Sequence, residues 1–133
     1  SKLINYFNGD YTKSKIEKDI ENFLKKIRND KKYFFSKKDQ IFLESLKSDG
    51  IEISEKYDDL YEPNPSEIPT DIQVMINNNE KGAALLRIVE VIGQDKLERI
   101  DDDTIYFIIS TLNQLNINFI RNQILLKVLP LKV

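Results

Sequence analysis

Four aliphatic residues, Leu85, Ile88, Val89 and Ile92, recur at the spacing i, i+3, i+4, i+7. That rhythm lines one face of a 3.6-residue helix. Gly93 follows, where a left-handed closing residue belongs. A second run, Ile105, Ile108, Ile109, Leu112 and Leu115, keeps the same period. Its β-branched residues make a strand a competitor over residues 105–110, but the period continuing to Leu115 decides for helix. A third run carries Ile120, Ile124, Leu125 and Val128, and Pro130 is expected to end it. Asp101, Asp102 and Asp103 precede the second run, and Asn116 and Asn118 separate it from the third. Turns this short force neighbouring helices to lie antiparallel and pack.

The first half repeats the pattern. Ser14 opens S-x-x-E with Glu17, a capping-box signature. Ile16, Ile20, Phe23, Leu24 and Ile27 then share a face, which predicts a helix from Ser14 to about Asn29. Ser36 stands before Ile41, Phe42 and Leu46, and Gly50 closes that run. Leu3–Phe7 reads as a short half-helix, with Asn8-Gly9 as a turn. Between residues 51 and 69 the pattern breaks. Pro63, Pro65 and Pro69 fall among Glu52, Glu55, Asp58, Asp59, Glu62 and Glu67, so this stretch is an acidic internal loop. Tyr57, Leu60 and Tyr61 can pin it to the surface. Helical spacing resumes at Thr70 with Ile72, Val74, Met75 and Ile76, and pauses at Asn77-Asn78-Asn79.

Composition narrows the chemistry. The 133 residues hold no cysteine and no histidine. Disulfides, thiolate nucleophiles, histidine triads and His- or Cys-based metal sites are therefore excluded. No run approaches the about 18 apolar residues of a membrane span. The chain starts at Ser1 without an apolar leader. It is expected to be a soluble piece of a longer protein, whose export would depend on a signal carried by that parent. Residues 1–50 hold 12 Lys and Arg against 8 Asp and Glu, whereas the remainder is acidic, for a net charge of −2. Halves of opposite sign can attract each other or offer two distinct surfaces.

Three stretches carry functional suggestions. Lys25, Lys26, Arg28, Lys31, Lys32, Lys37 and Lys38 interleave with Tyr33, Phe34 and Phe35. Basic charge for phosphates and rings for base stacking is how single-stranded nucleic acids are bound, with affinity that falls steeply in salt. The structural reading is a Lys-rich helix C-terminus that complements the dipole, followed by a turn whose Phe34 and Phe35 plug into the core. Asp101–Asp103 offers hard oxygen ligands, but adjacent carboxylates repel and the alternating calcium-loop pattern is missing. A capping role is expected instead. Asp58, Asp59, Glu62 and Glu67 can supply the paired carboxylates of a glycosidase, yet no tryptophan exists to stack a sugar. Gly82-Ala83-Ala84 opens a helix with small residues, which permits close approach of another helix, within the fold or from a partner.

From Ile68 through Asn78-Asn79-Glu80-Lys81-Gly82, Ala84-Leu85-Leu86 and Ile92-Gly93 to Ile108–Leu112 and Leu115-Asn116, the chain resembles the tail of large uncharacterised bacterial proteins. Those proteins look like tetratricopeptide-like helical-repeat solenoids. The resemblance implies a C-terminal capping part with no activity of its own.

The expected fold is therefore all-α, with about six or seven helices in antiparallel hairpins, stacked as a TPR-like superhelix or an irregular bundle. One domain spans residues 1–133, with possible sub-units at 1–50 and 70–133. The expected function is protein–protein interaction, as a scaffold or cap for a protein or peptide partner, without catalysis, cofactor or metal. Nucleic-acid binding through Lys25–Lys38 is the alternative.

Overall fold

The computed structural model describes residues 3–32, 34–61 and 68–129. Among these it is a helical bundle without strands. Six α-helices run in order: α1 (Lys13–Asn29), α2 (Lys37–Ser48), α3 (Thr70–Asn77), α4 (Lys81–Ile92), α5 (Asp102–Gln114) and α6 (Asn118–Val128). Three 3₁₀ segments accompany them: η1 (Leu3–Asn8) precedes α1, η2 (Glu55–Leu60) lies between α2 and α3, and η3 (Leu97–Arg99) lies between α4 and α5.

Local chemistry sets most boundaries. At α2 the Ser36 hydroxyl accepts from the Asp39 amide, and the Asp39 carboxylate accepts from the Ser36 amide. At α5 Asp101 is the cap and accepts from the Thr104 amide at 3.1 Å. That amide and the Thr104 hydroxyl hold the Asp101 carboxyl below its usual range. At α1 the predicted box at Ser14 is displaced. Thr12 is the cap, its hydroxyl accepting from the Lys15 amide, and Ser14 lies inside the helix. Glu17 is drawn away to a different donor, the amide of Glu52 at 2.8 Å. The asparagine turns form as expected: Asn79 and Asn116 take positive φ after α3 and α5, a conformation asparagine tolerates better than most residues.

The core gathers Ile16, Ile20 and Leu24 of α1, Ile41, Phe42, Leu43 and Leu46 of α2, and Ile105, Ile108, Ile109 and Leu112 of α5. The most extensive packing joins α2 to α5, two helices distant in sequence. Ser45 is wholly buried at their crossing and accepts from the Asn113 amide group at 3.3 Å. A residue that small lets the two backbones approach. Hairpins α3–α4 and α5–α6 also form, and α6 lies against η1 and η3.

Three expectations change. The aliphatic spacing puts Val89 on the buried face of α4 with Ile88, but it is 63% exposed. The buried line runs through Ala84 and Ile88, flanked by half-buried Leu85, Val91 and Ile92, so the helix is rotated from the face its aliphatic residues define. Only Ala84 of the small-residue opening is packed; a Cβ at Gly82 would meet nothing within 4 Å. The acidic loop is partly regular. Within residues 51–69, η2 buries Tyr57 to 1% exposure, and Leu60 and Tyr61 are half-buried. Glu62, Pro63, Pro65 and Glu67 lie outside the described residues, as do Tyr33 and Pro130.

Candidate functional site

Arg121 is the largest wholly buried side chain. Its neighbours on α6 explain its position: Ile117, Arg121, Ile124, Leu125 and Val128 share one helical face, so the fold that buries the aliphatics must also bury the guanidinium. All five N–H donors are used. The two terminal nitrogens donate to the two Asp49 oxygens, each at 2.8 Å. Asn122 Oδ1 accepts from Nε at 3.0 Å and from one terminal nitrogen at 2.7 Å, and Asn113 Oδ1 accepts from the other at 3.1 Å. The Ser45 carbonyl stands at 3.5 Å. The guanidinium also lies over the Phe7 ring, 5.5 Å from its centroid, and Phe7 meets Phe42 edge-on.

Asp49 caps the C-terminus of α2, where a carboxylate faces the negative end of the helix dipole. Arg121 offsets that repulsion, and the Tyr6 hydroxyl donates to Asp49 Oδ2 at 2.8 Å. One ion pair thus ties η1, α2, α5 and α6 together. Because every donor is satisfied within the fold, the cluster is a structural clamp and offers nothing to a ligand.

Burial and the neighbouring Asp49 carboxylate push the Tyr6 hydroxyl up to about 12 from an ordinary value of 10.0. In the unfolded chain the phenol ionises first. Its stabilising contribution is complete below about pH 10 and is lost as pH rises through about 12. Tyr6→Phe is expected to make the alkaline decline of stability shallower across that window, measured by urea titrations at a series of pH values. An unaltered decline would remove Tyr6 from the linkage.

Three of the seven cations of the basic stretch are engaged by carboxylates. Arg28 is held by Asp59 and the Lys56 carbonyl and lies over the Tyr57 ring at 4.9 Å. Lys37 pairs with Asp103 at 2.9 Å and Lys38 approaches Asp102 at 3.8 Å, so the acidic first turn of α5 neutralises the start of α2. Lys25, Lys26, Lys31 and Lys32 stay exposed. Phe35 is half-buried against Tyr61, as expected of a core plug, but Phe34 is 87% exposed. Of the acidic loop, Asp59 is engaged by Arg28 and Asp58 by Lys47. Among the described residues no three His, Cys, Asp or Glu side chains are grouped as metal ligands, and no helix is long and apolar enough to cross a membrane.

Two recesses are lined by described residues. A cavity of about 450 Å³ lies between η3 and α6, lined by Leu97, Ile120, Gln123, Ile124, Leu126 and Lys127. Phe119, 75% exposed, Gln123 and Leu126 are spaced i, i+4, i+7 along α6 beside it. The second recess, of about 390 Å³, lies between α2 and α5 and is lined by polar side chains. Periodicity treated α6 as a core helix and did not mark Phe119; the signal was its place on the face opposite Ile117 and Arg121.

Comparison with protein-family models, with curated proteins and with solved structures finds no match.

Proposed function

We propose that this domain is a protein-interaction module that receives an amphipathic helix in the groove between η3 and α6. The observation that carries this reading is the outward apolar strip of α6, where Phe119 and Leu126 flank a recess floored by Leu97, Ile120 and Ile124. Large apolar side chains held in water beside a groove favour a partner that covers them. Charge specifies that partner further. α6 contains no acidic residue, and among the described residues the one charged side chain lining the groove is Lys127. The fitting helix presents two apolar anchors with a carboxylate on its flank. A scaffold or capping role in a larger helical-repeat protein agrees with this chemistry, since such proteins act through surfaces of this kind.

A second reading has one observation in its favour. Phe34 is exposed, as are Lys31 and Lys32 close to it in sequence, a basic and aromatic combination suited to a single-stranded nucleic acid.

One comparison tests both. A panel of amphipathic helical peptides, with and without a flanking Glu, is titrated into the protein and into Phe119→Asp/Leu126→Asp. The acid-flanked peptides are expected to bind the parent and to lose about tenfold or more on the double variant. Equal binding by both proteins would sink the groove. Concentration-dependent dimerisation abolished by the same variant would identify a second copy as the occupant instead. A labelled oligonucleotide that binds in a salt-dependent manner, and fails with Phe34→Ala/Lys31→Ala/Lys32→Ala, would favour the second reading.

A further inference from the structure

The recess between α2 and α5 differs in chemistry from the α6 groove. Its lining is Glu44, Ser48, Tyr106, Ser110, Asn113 and Gln114: one carboxylate, three hydroxyls and two amides. Asn113 is already committed to Arg121 and Ser45. Glu44 is the charged member, half-buried on α2. Its neighbours are the Gln40 amide, 3.4 Å from Oε1, and the Tyr106 hydroxyl. Among the described residues it has no lysine or arginine within ion-pair distance. Other charges of α2 and its C-cap do have ion-pair partners: Lys37 pairs with Asp103, Lys38 with Asp102 and Asp49 with Arg121. An unmatched carboxylate facing a polar recess is an attractive site for a cation.

We propose that this cleft binds a primary ammonium group, with Glu44 as its counter-ion and the Ser48 hydroxyl and Gln114 carbonyl as further acceptors. The chemistry of the acceptors selects the cation. An ammonium carries three donors on one tetrahedral nitrogen, and three acceptors on three different side chains suit it. A guanidinium favours a bidentate carboxylate, and one Glu44 oxygen already faces Gln40. An anion would meet the Glu44 charge. A volume of about 390 Å³ admits the ammonium and part of its aliphatic stem. A free small amine and the lysine side chain of a partner share this chemistry, and the proposal does not depend on the α6 groove.

The test uses the full chain, isotopically labelled, with two probes: 1,4-diaminobutane and a blocked Ala-Ala-Lys-Ala-Ala peptide. Amide shifts of Ser48, Tyr106, Ser110 and Gln114 are expected to move saturably with at least one probe. Response to the diamine alone identifies a small-amine site, and equal or tighter binding of the peptide identifies a partner's lysine. Glu44→Gln is expected to weaken binding about tenfold or more. Glu98→Gln, outside the cleft, is expected to leave it unchanged. If Glu44→Gln disturbs folding, Ser48→Lys, at an exposed position, supplies an internal ammonium and is expected to abolish binding. The proposal is overturned if neither probe moves these amides, or if binding survives in both Glu44→Gln and Ser48→Lys.

Discussion

Replacing Arg121 with alanine is expected to lower the free energy of unfolding by about 3–5 kcal/mol, because it leaves the half-buried Asp49 carboxylate at a helix C-terminus without its cation. A domain of this size has about 5–15 kcal/mol to lose, so the variant should be close to unfolding. The loss has two parts. Removing the guanidinium vacates the space beside Phe7, and it strands Asn113, Asn122 and the Ser45 carbonyl, which together accept its other hydrogen bonds. Urea denaturation followed by circular dichroism measures the difference. The double variant Arg121→Met/Asp49→Leu is expected to recover much of the loss, since two apolar side chains leave no charge unpaired. A loss below about 1 kcal/mol in Arg121→Ala would mean that water reaches the cluster and that it is no clamp.

Ile109→Asp is expected to abolish the folded state under ordinary conditions, with a cost above about 4 kcal/mol. Ile109 is 1% exposed on α5, the helix that packs on α2 and also touches α3 and α6. Among the described residues the one buried cation, Arg121, is already committed to Asp49, so an aspartate there has none to meet. The extent of the collapse is informative. If residues 1–50 and 70–133 were separable units, the first would keep its helices while the second melted. Because α2 and α5 make the most extensive helix contact, loss of helical signal and of amide dispersion should instead cover the whole chain at once. Retention of a folded N-terminal half would show that the two halves are only docked.

Much of the secondary structure was legible because its causes are local. The period of Ile105, Ile108, Ile109, Leu112 and Leu115 is a property of consecutive residues, and all five are buried. The caps at Ser36 and Asp101, and the turns at Asn79 and Asn116, likewise depend on residues within one helical turn. Failures occur where a distant element competes. Glu17 left its predicted cap because the Glu52 amide, brought close by the fold, is its donor. Val89 looks inward on a wheel but outward in the bundle, because α4 packs on α3 and buries the line of Ala84 and Ile88 instead. The basic stretch reads as a continuous run of cations, yet three of the seven, Arg28, Lys37 and Lys38, are engaged by Asp59, Asp103 and Asp102, carboxylates that lie far along the chain.

The sequence by itself determined an all-helical chain, the approximate extent of its helices, and the absence of cysteine and histidine chemistry. These follow from side-chain period and from which functional groups exist at all. Only the tertiary structure decided that α2 meets α5, that Arg121 is spent on Asp49, and that Glu44 is left facing a polar cleft without a cation among the described residues. Ion pairing and cleft formation depend on through-space distances between helices, and no local pattern encodes which helices will touch.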